Sequence, residues 1–167
     1  ANYGSSKWSP QWEPVILNEK YVAAIVDDHI VVVEKESGKI ALNLKGKNFE
    51  DGISISNNYL ICTKWGGKTW AVDIATGKTV WSIDVGEQAG YGNVTDNGKI
   101  YIPSWDPKFF CLDQKTGKKI WTLDLKNYKN GCGSGFEETP VLVGDKLYAV
   151  HRDNGLFIID KNSGEVL

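Results

Sequence analysis

The sequence predicts an all-β fold, a β-propeller of four-stranded antiparallel blades. Three observations predict it: one unit written four times, short β-branched and aromatic runs inside each unit, and turn residues between those runs. The unit is plainest as Ala71-Val72-Asp73-Ile74-Ala75-Thr76-Gly77-Lys78-Thr79-Val80-Trp81 and returns as Cys111-Leu112-Asp113-Gln114-Lys115-Thr116-Gly117-Lys118-Lys119-Ile120-Trp121. Weaker copies run from Val32 to Leu42 and from Ile158 to Leu167. With Gly38, Gly77, Gly117 and Gly164 as anchors, the copies are spaced 77−38=39, 117−77=40 and 164−117=47 residues, near the roughly 40–50 residues of a propeller blade.

Each unit is expected to give four strands. The first strands are Val15–Leu17, Ile53–Ser56, Val94–Asp96 and Val141–Val143. An alignment without gaps places the second strands at Lys20 to Ala24, Tyr59 to Thr63, Lys99 to Pro103 and Lys146 to Val150. The third strand ends at an acidic residue, Glu34, Asp73, Asp113 or Asp160, and the fourth begins after the anchor glycine. Pairs such as Asn57-Asn58, Asn97-Gly98, Gly66-Gly67 and Asp106-Pro107 supply the backbone angles that tight connections need. The acidic residues accept backbone N–H bonds within the turn and so are structural rather than catalytic. The units fall at approximately 14–46, 53–86, 93–126 and 140–167, with 1–13 as a closing strand, in a single domain.

Ala71-x-Asp73-x-x-Thr76-Gly77-Lys78-x-x-Trp81 resembles the tryptophan-docking motif of the quinoprotein-type, or PQQ-like, β-propeller repeat. The resemblance implies that Trp81 and Trp121 pack on the peptide of a neighbouring blade. Leu42 stands where the first copy would have its tryptophan, and the fourth copy reaches only Leu167. For a quinone-dependent oxidoreductase the resemblance would further imply a vicinal disulfide, a calcium held by Glu, Asn and Asp, and a larger ring, usually of eight blades. No Cys-Cys pair occurs. We therefore expect no cofactor and no enzyme activity, with a PQQ- and calcium-using oxidoreductase fragment as the alternative.

Composition narrows the partners. With 167 residues and 41% hydrophobic content, one domain can bury a core without staples. The net charge of −2, with lysines scattered over all units, leaves no basic stripe to follow a phosphate backbone, so nucleic acid is not expected. No apolar run reaches the roughly 18 residues that span a bilayer, so membrane insertion is not expected. A chain beginning at Ala1 with no Met fits a processed secreted protein or a segment of a longer one, and we expect an extracellular or periplasmic location.

Cys62 and Cys111 read as small buried hydrophobes, whereas Cys132 lies in the Gly-rich loop at 130–135 as a free thiol or a bridge to a partner. Neither the cysteines nor His29 and His151 have metal spacing, so no metal site is expected. Asn93-Val94-Thr95 has the glycosylation pattern but begins an inner strand.

Ring closure and the loop face carry the functional expectations. Gly164-Glu165-Val166-Leu167 followed by Trp8-Ser9 would mirror Gly77-Lys78-Thr79-Val80-Trp81-Ser82, so the N-terminal segment is expected to supply the closing strand through Trp8, with Trp12 as the alternative. Closure within one chain gives a four-bladed ring; exchange between two chains gives a homodimer with eight blades. On one face the alignment gathers Val26, Trp65, Trp105 and Arg152 in a column, followed by Asp106 and Asp153, with Tyr91 and Glu138 on neighbouring loops. Trp65 and Trp105 as anchors and Arg152 as a charge-assisted donor suit recognition of a protein or peptide by a non-enzymatic binding or scaffold module. A purely structural assembly subunit is the other alternative.

Overall fold

A computed structural model describes residues 16–26, 29–46, 52–64, 66–86, 92–126, 128, 134–136 and 138–167. Among them every regular element is a strand. The first sheet contains β1 (Ile16–Leu17), β2 (Tyr21–Val26), β3 (His29–Glu34) and β4 (Ile40–Lys45). The second contains β5 (Ile53–Ser56), β6 (Tyr59–Thr63), β7 (Lys68–Asp73) and β8 (Thr79–Asp84), and the third β9 (Val94–Asp96), β10 (Lys99–Pro103), β11 (Lys108–Asp113) and β12 (Lys119–Asp124). The fourth has β13 (Val141–Val143), β14 (Lys146–His151) and β15 (Gly155–Asp160), with Val166 bridged to Ile159 in place of a full outer strand. Each sheet runs antiparallel in chain order, so the molecule is a propeller of four blades.

The repeated turn explains why the outer strand follows the third so sharply. Asp73 Oδ1 accepts the Thr76 N–H at 2.8 Å and its hydroxyl at 2.7 Å. The Gly77 N–H donates to the Asp73 carbonyl at 2.8 Å, with Gly77 at φ 69°. Asp113 repeats this with Thr116, and Asp160 accepts the Ser163 N–H at 2.8 Å. Glu34, one methylene longer, takes the Ser37 hydroxyl at 2.6 Å. The pairing register slips at the same place in three blades, between Val32 and Val33, Ala71 and Val72, and Cys111 and Leu112. That bulge bends the outer strand away from a flat sheet.

These hydrogen bonds favour the ionised acids. The Thr76 hydroxyl and N–H hold the Asp73 carboxyl below its ordinary value, the Thr116 hydroxyl does so for Asp113, and the Ser163 and Asn162 N–H groups do so for Asp160. A carboxyl depressed in the folded state contributes stability that is complete above its unfolded value of about 3.9 and is lost as pH falls through the folded value. Thermal melting followed by circular dichroism should therefore decline below about pH 4. A triple variant, Asp73→Asn, Asp113→Asn and Asp160→Asn, should decline less over the same interval, and an equal decline would assign the acid sensitivity elsewhere.

The first blade departs from the gap-free alignment. Tyr59, Lys99 and Lys146 pair with the acidic residue of their own blade, but in the first blade it is Tyr21, not Lys20, that pairs with Glu34. The connection from β2 to β3 is shorter, with Val26 paired to His29. Since a one-residue slip exchanges the two faces of a strand, Val26 leaves the column with Trp105 and Arg152.

Three core clusters lie between successive blades. Tyr21, Ala23, Ile30 and Val32 of the first blade meet Leu60, Cys62 and Val72 of the second. Ile61 and Ala71 then meet Ile100, Ile102, Phe110 and Leu112, while Tyr101, Phe109 and Cys111 meet Leu147, Ala149, Phe157 and Ile159. Each blade thus has a trailing face toward its predecessor and a leading face toward its successor. Burial pushes the Cys111 thiol up to about 12 and raises that of Cys62 further, so both are protonated.

Large side chains cross each junction at its outer edge. Trp81 lies on Gly117, where an added Cβ would sit 2.7 Å from the indole, and its N–H donates to the Gln114 carbonyl at 2.7 Å. Trp121 lies equally close on Gly164 and donates to the Lys161 carbonyl at 3.1 Å. Leu42 reaches the corresponding place over Gly77 with a methyl 3.4 Å from the Cβ position. Lys161 adds a polar clamp between the last two blades, its ammonium 3.0 Å from Asp96 and 3.0 Å from Asp145. Both carboxylates raise its pKa, Asp96 foremost. Trp8 lies outside the described residues.

Candidate functional site: the loop face of the third and fourth blades

Two connections of the same kind, residues 104–107 between β10 and β11 and residues 152–154 between β14 and β15, lie side by side. Residues 134–136, from the connection between β12 and β13, run between them. The Phe136 N–H donates to the Ser104 carbonyl at 2.8 Å, and the Arg152 N–H donates to the Gly135 carbonyl at 3.1 Å. Phe136 also forms a bridge with His151, so the loop acts as a short extra strand joining two blades. Gly135 is required by close approach: a Cβ there would sit 2.0 Å from the Ser104 carbonyl oxygen and 2.3 Å from that of Asp106.

Aromatic packing anchors this loop from below. Phe136 is fully buried and meets Phe109, Phe157 and His151 edge-on, with centroids 5.2, 5.7 and 5.4 Å away. His151 is also fully buried; its Nδ1 accepts the Asp153 N–H at 3.2 Å, which leaves the proton on Nε2. That Nε2 has no hydrogen-bond partner among the described residues.

On the surface above, the Arg152 guanidinium stands 5.6 Å from the centroid of the half-buried Trp105 ring, within the range of a cation–π contact. Asp153, exposed beside it, accepts a hydrogen bond from the Ser134 hydroxyl. Asp106 is half-buried, its N–H donating to the Ser104 hydroxyl at 3.3 Å, and Glu138 is exposed on the connecting loop. The structure therefore brings Trp105, Asp106, Arg152 and Asp153 onto one rim. Trp65, Tyr91 and Cys132 lie outside the described residues.

Sequence reasoning did not foresee the hydrogen bond from Ser134, the close approach at Gly135, or the burial of Phe136 against His151. Phe136 belongs to no repeat, so no periodicity marks it. It also missed a polar set along the inner strands. Ser54 donates to the Asn93 side chain, whose amide donates to Thr63 Oγ1 at 3.2 Å, and Ser56 donates to Gln114 Oε1 at 3.0 Å. With Asn93 buried and bonded at both ends of its amide, it cannot carry a glycan.

Comparison with known proteins settles the family. A family model described as outer membrane protein assembly factor BamB matches residues 66–167. The chain belongs to this family of PQQ-like β-propellers. No curated protein is similar enough in sequence to match. Among solved structures, BamB from Moraxella catarrhalis superimposes with a TM-score of 0.72 at 18% identity over 92% of this chain and 50% of that one. The computationally designed Ika4 protein gives 0.69 at 14% identity over 94% of this chain and 98% of that one. Quinohemoprotein alcohol dehydrogenase ADHIIG from Pseudomonas putida HK5 gives 0.70 at 12% identity over 96% of this chain and 34% of that one. The chain spans about half the length of BamB from Moraxella catarrhalis.

The quinohemoprotein likeness raises the question of a quinone and its calcium. Among the described residues no group of three or more His, Cys, Asp and Glu side chains converges as a metal site. Cys62 and Cys111 lie on different sheets, each buried in its own junction.

Proposed function

We propose that this BamB-like propeller is a non-enzymatic binding module that recognises a protein or peptide on the rim formed by the third and fourth blades. The observation that carries this reading is the Arg152 guanidinium held over Trp105 across two blades. An aromatic plane and a planar donor fork are the surface groups that contribute most to protein recognition. Asp106, Asp153 and Glu138 add acceptors around them, with Trp65 and Tyr91 assigned to the same rim from their sequence positions. The family description, an assembly factor for outer membrane proteins, supports a protein partner and an extracellular or periplasmic location. We further assign Trp81 and Trp121 as the docking residues that hold successive blades together, and Trp8 as the closing residue.

The experiment uses peptides selected from a displayed random library against the folded chain. Arg152 is exposed, so Arg152→Glu leaves the melting temperature within about 2 °C, as surface substitutions do. It should weaken the selected peptides at least about tenfold. Unchanged affinity across all selected peptides would overturn the assignment of this rim.

A further inference from the structure

The three junctions between successive blades share their outer half and differ in their inner half. Outside, a side chain of one blade lies over the glycine of the next: Leu42 over Gly77, Trp81 over Gly117 and Trp121 over Gly164. The two tryptophan contacts are alike, so they hold blades together without distinguishing one blade from another.

Inside, the residue that follows the turn acid meets the preceding blade, and it is different each time. Ile74 is fully buried in the first junction, in one cluster with Tyr21 and Ile55 and with Ile16 packed against it. In the second junction Gln114, itself buried, accepts the Ser56 hydroxyl at 3.0 Å and donates to the Ser56 carbonyl at 3.1 Å. In the third, the Lys161 ammonium stands 3.0 Å from the Asp96 carboxylate. Ser56 and Asp96 share a register, since they pair with Tyr59 and Lys99 at the same point of their blades. The first blade has Asn18 there, three residues before Tyr21, and its amide donates to the Asn57 carbonyl at 2.9 Å. A neighbouring position repeats the distinction: Ser54 donates to Asn93 in the second junction, where the first has Ile16 and Ile53 and the third has Val94 and Pro140.

We propose that the inner residues form a recognition key that assigns each blade its neighbour: an aliphatic side chain at 74, an amide–hydroxyl pair at 114 and 56, and an ion pair at 161 and 96. The strand pattern and the turns are common to all the blades, and chains built of such units characteristically fail by exchanging or misassembling them. The key acts through the cost of wrong pairs. With the fourth blade against the second, the Lys161 ammonium would face the Ser56 hydroxyl without Asp96. With the trailing side of the second blade against the third, the Asp96 carboxylate would face Ile74. Each arrangement leaves a partly desolvated charge without its partner, and penalising the wrong neighbour in this way is how related surfaces are told apart. A unit beside a new neighbour keeps its outer contacts and needs only this inner pair matched. The inference does not depend on the ligand-binding rim.

The test transposes keys within the full chain. Gln114→Lys should lower the melting temperature by at least about 6 °C, the scale of an unpaired buried charge in a domain of this size. Adding Ser56→Asp installs the pair of the third junction in the second and should recover at least about half of that loss. The reverse transposition is milder, because the Lys161 and Asp96 side chains are 13% and 25% exposed. Lys161→Gln should lose about 2–4 °C, and adding Asp96→Ser should recover it. Refolding from guanidinium separates recognition from stability. The fraction returning as the parent species on size-exclusion chromatography should fall at least about twofold for Gln114→Lys and return with Ser56→Asp. Leu112→Ala weakens the same junction without touching the key, so it should lower the melting temperature and leave that fraction at the parent's value. Double variants no more stable than the sum of their single changes, or a refolded fraction that falls for Leu112→Ala as it does for Gln114→Lys, would each overturn the inference.

Discussion

Replacing Trp121 with alanine is expected to lower stability by about 3–5 kcal/mol, the scale of a large aromatic truncated in a packed site. The indole is partly exposed, but it contributes to the third junction in several ways. It lies on Gly164, donates to the Lys161 carbonyl at 3.1 Å, and packs beside Phe109 and Tyr101 with centroids 6.1 and 6.0 Å away. Truncation leaves that carbonyl and the glycine seat open to water. Denaturant unfolding at pH 7 gives the measurement. Trp121→Phe keeps the ring but not the N–H, so it should recover the greater part of the loss. A loss below about 1 kcal/mol for Trp121→Ala would mean that the contact guides the outer strand without holding the blades together.

The second large effect is expected at Phe136. It is fully buried, although it belongs to a loop, and Phe136→Ala should cost about 3–5 kcal/mol. The consequence differs from that of Trp121, because Phe136 also seats the loop on which Ser134 and Gly135 stand. Its backbone reaches Ser104 on one side and His151 on the other. Removing the ring should therefore loosen the rim beside Arg152 as well as the junction. Hydrogen exchange at the Phe136 and Arg152 amides, both donors to neighbouring segments, should rise well beyond that expected from the global loss. Equal acceleration at all amides would show that the loop has no local role.

The blades were legible because each obeys the same short-range rules. Asp73, Thr76 and Gly77 write a turn in their own side-chain chemistry, and the strands around it alternate between two covered faces. The first blade shows where such reading slips: a shorter connection between β2 and β3 moves Tyr21 into the place assigned to Lys20, and nothing in the local composition marks the change. The rim was partly legible, since Trp105 and Arg152 occupy equivalent positions in adjacent blades and so had to approach each other. The packing of Phe136 on His151 was not. Their meeting depends on a long connection folding back between blades, which is tertiary information without a periodic trace. The same holds for Asn93, whose partners Ser54 and Thr63 lie one blade away.

The division of the core into three separate clusters has an evolutionary consequence. No central interior must be refilled when the number of units changes, because each contact surface is made only with a nearest neighbour. Duplication or deletion of a whole unit would replace one junction by another of the same kind, at positions such as Leu112 and Ile159 that already tolerate the exchange of one aliphatic side chain for another. What must then be retuned is the small angle between neighbours. A sequence of this design can therefore vary its length by recombination more readily than by point substitution, with the turns around Gly77 and Gly117 serving as interchangeable joints.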